Sequence, residues 1–324
     1  MHRKQCPNFN NNLSTHSLIT HSVPQGSLLG PLLFNIYIND LSKAPIFLKA
    51  ILFADDSCFY LSGKNVTSLI NYINVDLTNL NNWFISNKLT LNVNKSHYMI
   101  FSRKLVLQLN IPHICINNTQ LEKVNNTVFL GILLQENLSW ELQIKSIVKK
   151  LNQYCAVLYL TRDSLTKNAL LLIYNSIIYS QLVYCNVIWA RSSKIHVNKL
   201  FVAQKRVIRT ITYKSRYAHT HNEFVNLKLL KVNEINKYFS SIFVYKSLNN
   251  LAYPLNYFSS SNQYEYNLRN NSNLNLPFVR SNQSQSSPSY YACNIWNSLP
   301  QEIRNKPTLY SFRLSVKRYL LNQY

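Results

Sequence analysis

Two of the five aspartates in the chain, Asp55 and Asp56, are adjacent within Ile51-Leu52-Phe53-Ala54-Asp55-Asp56-Ser57-Cys58-Phe59-Tyr60. Neighbouring like charges repel, and a partly buried hairpin between apolar strands would add a desolvation cost that cations offset. Chemistry that uses such a pair is two-metal phosphoryl transfer, in which divalent ions about 3.5–4 Å apart stabilise the attacking and leaving oxygens. Successive strand side chains face opposite ways, so one carboxylate becomes the main metal ligand and the other peripheral; Asp55 is assigned the main role. An Asp-Asp turn facing solvent is the commoner use of this dipeptide, and the pair by itself leaves both readings open.

The elements that must position the pair follow from apolar spacing. Short apolar runs at 50–53 and 57–61 predict strand, tight turn, strand. Before them, Leu29, Leu33, Ile36 and Leu41 recur near helical spacing with Pro31 in the first turn, which predicts a helix over 27–41 preceded by a loop. After them, Leu69, Ile73, Leu77, Leu80 and Phe84 mark an amphipathic helix. Leu89, Leu91 and Val93 alternate as in a strand, and a second apolar run covers 98–101. Another short strand is predicted over 128–134. Helices alternating with strands give an α+β class, with helices backing one sheet.

Beyond Trp140 the pattern turns helical. Ile144, Val148, Leu151, Cys155 and Leu158 share one helix face, 170–190 reads as a core helix, and Leu200, Ala203, Val207 and Ile211 share another face. The stretch 259–289 is crowded with Ser, Asn and Gln around Pro277 and Pro288 and reads as a linker. A basic helix over 309–321 closes the chain. The expected organisation is therefore 1–138, 139–258, a linker 259–289, and 290–324.

Over 324 residues, 34 Lys plus Arg against 12 Asp plus Glu give a net charge of +22, which favours nucleic acid or another acidic partner. Heavy use of Asn, Lys, Ile and Tyr also fits A/T-rich coding DNA, so a merely solvated basic surface stays open. Lys199, Lys205, Arg206, Arg209, Lys214 and Arg216 fall in one stretch without an acid, with Lys145, Lys149, Lys150, Lys317 and Arg318 extending it. With 47% hydrophobic residues the chain has material for a packed core, which excludes a disordered basic tail. Its 4 glycines form no G-x-G-x-x-G or G-x-x-x-x-G-K pattern, which sets Rossmann and P-loop chemistry aside. The 6 cysteines stand singly, with no C-x-x-C pair. The polar, basic N-terminus lacks the apolar core of a secretory signal. The polar residues within 170–190 argue against a membrane span. A nuclear or cytoplasmic protein, not a secreted one, is expected.

Val23-Pro24-Gln25-Gly26-Ser27-Leu28-Leu29-Gly30-Pro31-Leu32-Leu33-Phe34-Asn35-Ile36-Tyr37-Ile38-Asn39-Asp40-Leu41 resembles the P-Q-G segment of reverse transcriptases of non-LTR retrotransposons, the jockey and related long interspersed elements. Phe53-Ala54-Asp55-Asp56 resembles their F-A-D-D hairpin. Trp83 with 87–91 and 95–102 resembles the next block, Phe129-Leu130-Gly131 with Leu138-Ser139-Trp140 the primer-grip block, and Ile295-Trp296-Asn297-Ser298-Leu299-Pro300 the C-terminal stretch. The resemblance implies a partial right-hand polymerase palm, an antiparallel sheet backed by helices, followed by a mostly helical thumb-like region. It implies RNA-directed DNA synthesis with two Mg²⁺ ions on Asp55 and Asp56, an RNA template, a DNA primer and a deoxynucleotide. It also implies template and nucleotide contacts from Pro24, Gln25, Gly26 and Lys95, a primer grip at Phe129, Leu130 and Gly131, and backbone contacts from Lys199, Lys205, Arg206, Arg209, Lys214 and Arg216.

The chain departs from that pattern at its start. The family's site needs a further Asp on an earlier strand, yet no Asp or Glu precedes Asp40, and Asp40 ends a helix. The expectation is an amino-terminally truncated enzyme with no useful polymerase activity in isolation. A non-catalytic nucleic-acid-binding protein and a pseudogene product are the alternatives.

Overall fold

A computed structural model describes residues 3–19, 23, 26–102, 112–251, 258 and 273–324. The chain divides into two units, Met1–Asn125 and Asn126–Tyr324.

In the first unit, β1 (Arg3–Gln5) pairs antiparallel with β4 (Ser17–Ile19), enclosing a smaller pair of β2 (Asn8–Phe9) and β3 (Asn12–Leu13). Helix α1 (Leu29–Tyr37) follows, with Pro31 in its opening turn where a missing N–H costs nothing. A tight turn at Leu41–Lys43 leads to the hairpin of β5 (Lys49–Phe53) and β6 (Asp56–Tyr60), matched Phe53 to Asp56 and Lys49 to Tyr60.

Helix α2 (Val66–Ser86) starts where the Asn65 side chain accepts from the Thr67 and Ser68 N–H groups. Ile73, Leu77, Leu80 and Phe84 of the predicted stripe face inward, with Leu80 packing with Leu41 and Leu48 against Leu52 and Phe59 of the hairpin, while Ile70 in place of Leu69 joins Ile114, Ile116 and Leu121 in a second cluster. The remaining strands are β7 (His97–Tyr98), β8 (Cys115–Ile116), β9 (Thr119–Gln120) and β10 (Glu122–Lys123), in which β7 pairs parallel with β10 and β8 antiparallel with β9.

Two expectations need correction here. The alternation of Leu89, Leu91 and Val93 makes no strand. Lys88 takes a positive φ of 53°, and Asn92 caps a short turn at Val93–Lys95, so Leu91 and Val93 reach the Ile70 cluster from irregular backbone. Mixed helix and strand fits the α+β class, but the described strands form separate two-stranded pairs and no single helix-backed sheet.

The second unit opens with a hairpin, β11 (Asn126–Phe129) and β12 (Ile132–Gln135), in the register Phe129 to Ile132. Helix α3 (Glu141–Thr161) buries Ile144, Ile147, Leu151 and Leu158. The predicted helix over 170–190 is interrupted: α4 (Lys167–Ile173) passes into a π-helical segment, Tyr174–Ile178, then α5 (Tyr179–Val183), a break at Tyr184 and Cys185, and α6 (Asn186–Trp189). Cys185 has a φ of 48°, and the Trp189 indole N–H donates to the Tyr184 carbonyl at 2.7 Å, satisfying a group the helix has released.

Helix α7 (Lys194–Ile211) buries Leu200, Ala203, Val207 and Ile211, the stripe read from sequence. It is followed by α8 (His221–Asn226) and α9 (Val232–Leu248). Buried Gln204 of α7 donates to the Tyr174 hydroxyl and the Leu230 carbonyl and accepts from the Val232 N–H, each at 3.0 Å. Part of the stretch read as a linker is described, and Leu274 there is buried and exchanges two hydrogen bonds with the Asn297 side chain. Helices α10 (Asn282–Gln285), α11 (Pro288–Ser298), α12 (Gln301–Arg304) and α13 (Leu309–Leu321) complete the unit; Ser287 caps α11, and Thr308 and Ser311 form a capping box on α13. Among the described residues no helix is long and apolar enough to cross a membrane.

Candidate active site and nucleic-acid interface

The β5–β6 hairpin turns on two residues, Ala54 and Asp55, and Asp56 opens the return strand. Ala54 has a φ of 51°, a conformation costing a residue with a Cβ about 1–2 kcal/mol. Strain of this kind persists where surrounding structure imposes it. Asp55 projects from the turn, whereas Asp56 belongs to the strand face shared with Ile51 and Phe53, opposite the face that Leu52 and Phe59 press onto α2. Both carboxylates are exposed, so the partial burial expected of the pair is absent. Among the described residues no third His, Cys, Asp or Glu joins them in a cluster. Two exposed carboxylates suit Mg²⁺, which keeps several waters and takes one or two protein oxygens, but they supply only part of a ligand set.

A third aspartate, which the sequence reading passed over, organises this hairpin. Asp76 of α2 has 0% exposure, and its carboxylate accepts the backbone N–H groups of Ile46 at 2.8 Å and of Phe47 and Leu48 at 2.7 Å. It thereby fixes the chain immediately before β5. Its signal in the sequence is a lone charge among Ile73, Leu77 and Leu80 at helical spacing. Asn74 does similar work elsewhere, donating to the His113 carbonyl at 2.9 Å and accepting the Cys115 N–H at 3.1 Å.

Of the residues assigned to template and nucleotide, Pro24 and Gln25 lie outside the described residues. Gly26 has a φ of 80° and nothing within 4 Å of where a Cβ would stand, so glycine is required by backbone conformation and not by a neighbour. Lys95 is exposed at the end of the Val93–Lys95 turn. No described hydrogen bond or ion pair joins Gly26 or Lys95 to the hairpin.

Phe129, Leu130 and Gly131 form the tip of the β11–β12 hairpin. Leu130 and Gly131 have φ of 47° and 77°, and the Tyr184 hydroxyl donates to the Leu130 carbonyl at 2.5 Å. The Tyr184 ring also packs at the Gly131 Cα, where a Cβ would stand 3.5 Å from it. The helix break at Tyr184 and Cys185 thus aims a side chain at the tip. Nothing in the sequence pattern announces this contact.

The six cations assigned to backbone contacts are not equivalent. Lys199 and Arg206 are exposed two helical turns apart on α7, and Arg206 donates to Asn152 at 3.4 Å. Lys205 lies over the Phe201 ring at 4.7 Å. Arg209 donates to the Ala218 carbonyl at 2.8 Å, and Lys214 pairs with Glu223 at 3.5 Å. Arg216, past the helix, lies 5.9 Å from the Tyr217 ring. A groove of about 580 Å³ between α3 and α7 brings Lys145, Lys149, His196 and Lys199 together over Ile144 and Val148. Lys145 pairs with Glu141 at 2.6 Å and holds that carboxyl below the usual range, with His196 and Lys199 adding to the effect.

The family model for reverse transcriptase (RNA-dependent DNA polymerase) matches residues 1–134. The similarity continues past that segment. The probable RNA-directed DNA polymerase from transposon X-element of Drosophila melanogaster is 28% identical over 246 residues, covering 74% of this chain and 27% of that protein. The RNA-directed DNA polymerase from mobile element jockey of Drosophila funebris is 23% identical over 237 residues, covering 68% and 25%. The probable RNA-directed DNA polymerase from transposon BS of Drosophila melanogaster is 27% identical over 212 residues, covering 62% and 23%. The chain therefore spans about a quarter of the length of these curated relatives. No solved structure matches. The resemblance to the reverse transcriptases of jockey-type mobile elements, read from the P-Q-G and F-A-D-D segments, is borne out by these similarities.

Proposed function

We propose that this chain is the nucleic-acid-binding and metal-presenting part of an RNA-directed DNA polymerase, acting on an RNA template, a DNA primer and deoxynucleotides in the nucleus or cytoplasm. The observation that carries the reading is the hairpin in which Asp55 and Asp56 follow a strained Ala54, within the segment that matches reverse transcriptases. Asp55 and Asp56 would hold Mg²⁺, which when bound supplies charge neutralisation at the phosphates and an acidified primer hydroxyl. The chain's own contribution is positioning. Asp76 anchors the hairpin base, the Leu130–Gly131 tip held by Tyr184 meets the primer, and Lys145, Lys149, Lys199 and Arg206 hold phosphates without choosing sequence.

Two exposed carboxylates bind the metal weakly, so the isolated chain binds primer–template far better than it extends it. The test combines filter binding with primer extension on an RNA template in Mg²⁺ or Mn²⁺. About four phosphate contacts predict a fall in affinity of about 100-fold between 50 and 200 mM salt, with extension near background. A flat salt dependence overturns the binding role, and efficient synthesis that Asp55→Ala abolishes overturns the claim of an incomplete site.

A further inference from the structure

Three contacts rise in step along α3 and α7: Asn152 with Arg206 at 3.4 Å, Cys155 with Thr210 at 3.4 Å, and Arg162, whose carbonyl accepts from the Tyr213 hydroxyl at 2.6 Å. The two helices therefore run parallel, and the groove lined by Lys149 and Lys199 leads toward Tyr159, Arg162 and Tyr213, about 15 Å further along α3. There the Arg162 guanidinium lies over two rings at once, Tyr159 at 4.4 Å and Tyr213 at 4.9 Å. Each ring has one face on the cation, yet the two residues are 58% and 52% exposed, which leaves the opposite faces to solvent. Tyr213 is also held in place. It takes a positive φ of 55°, an outlier for a bulky residue, with its hydroxyl tied to Arg162.

We propose that Tyr159 and Tyr213, braced by Arg162, form a platform on which an unpaired nucleobase stacks while the groove lysines hold its strand. This rests on the nucleic-acid role proposed above and adds which kind of nucleic acid the groove takes. Charge says what belongs on these rings. From Lys205 to Ala218 the chain carries five cations and no acid. The acids beside the platform are Asp163, 3.7 Å from the Arg162 Nε, and Glu223, which pairs with Lys214. The balance draws a polyanion along the groove and past the rings. Bases in a duplex spend both faces on their neighbours, whereas a single strand offers them, and stacking on aromatic rings accepts any base. A ring already fixed loses little freedom when the base arrives.

Single-stranded RNA and DNA oligonucleotides carrying a fluorescent adenine analogue, and an RNA–DNA hybrid duplex of the same sequence, test the proposal on the full chain. Binding should quench the analogue in the single strands; quenching in one sugar type alone assigns the platform to that strand. Tyr159→Ala should remove much of the quenching and weaken single-strand binding about 5- to 150-fold, the worth of one base–aromatic stack. The salt slope should stay unchanged, because no phosphate contact is lost. Hybrid binding should not move, Tyr159→Phe should restore the parent behaviour, and Leu160→Ala, at the exposed neighbour, should have no effect. Three results overturn the inference: no quenching in either strand, a Tyr159→Ala loss shared equally by the hybrid, or an equal loss in Leu160→Ala, as a face covered by protein would give. Each of these leaves salt-dependent binding in place, whereas a flat salt dependence of the parent chain removes the nucleic-acid role itself.

Discussion

Replacing Asp76 tests whether one buried carboxylate sets up the hairpin that carries Asp55 and Asp56. In Asp76→Ala the N–H of Leu48, itself buried, loses its acceptor, at a cost of about 1–3 kcal/mol, and the part-buried N–H groups of Ile46 and Phe47 lose charge-assisted bonds of about 1 kcal/mol each. The sum is about 4 kcal/mol, at the upper end for a single substitution. Asp76→Asn keeps one acceptor oxygen but turns an NH₂ toward donors, so about 2–3 kcal/mol is expected. Trp83 precedes every other tryptophan in the chain and packs in the Leu41–Leu48–Leu80 cluster, so fluorine NMR of fluorotryptophan-labelled protein in urea follows the first unit separately. With a slope of about 1–2 kcal/mol/M, the Trp83 midpoint should fall by about 2 M or more in Asp76→Ala, while the resonances of Trp140, Trp189 and Trp296 hold theirs. Asp163→Asn, at an exposed position, serves as control. A midpoint for Asp76→Asn within about 0.3 M of the parent refutes the anchoring role.

Gln204→Ala removes three hydrogen bonds inside the second unit and should cost about 3 kcal/mol by urea unfolding read at Trp189, with no change in the Trp83 transition. Alkaline pH should destabilise the same unit. Burial pushes the Cys293 thiol up to about 11 and the Tyr174 phenol to about 12, so both native groups hold protons that the unfolded chain has released. Their stability is whole below about pH 8.5. It declines as pH rises through 9 toward 11, and Cys293→Ala should flatten that decline in urea midpoints taken at neutral and alkaline pH.

Much of the helical framework was legible because its cause is local. Ile73, Leu77 and Leu80, and later Leu200, Ala203, Val207 and Ile211, fall on one side of a regular helix, and the structure turns that side inward. The hairpin around Asp55 and Asp56 was equally plain from two apolar runs and an intervening pair. What stayed hidden depends on contacts distant in sequence. Leu91 and Val93 alternate like strand residues, yet Lys88 and Asn92 bend the backbone and both apolar side chains reach α2 without a strand. The basic stretch reads as one face, but Arg209 and Lys214 are engaged by Ala218 and Glu223, Arg206 donates to Asn152 and groove Lys145 pairs with Glu141, so its cations are not equivalent. Exposure of the Asp55–Asp56 pair depends on which strand neighbours are present, and no residue pattern encodes that.

The π-helical segment Tyr174–Ile178 has a consequence for how this chain tolerates change. Such a segment amounts to one residue slipped into an α-helix, so deleting one residue within it would let the backbone wind regularly while rotating everything downstream by about 100°. Tyr184 would then swing off the Leu130 carbonyl and Trp189 out of its buried seat. The widened turn is a phase shifter: it lets residues upstream keep step with α7 while those downstream keep step with the β11–β12 tip, two schedules that a uniform helix could not serve at once.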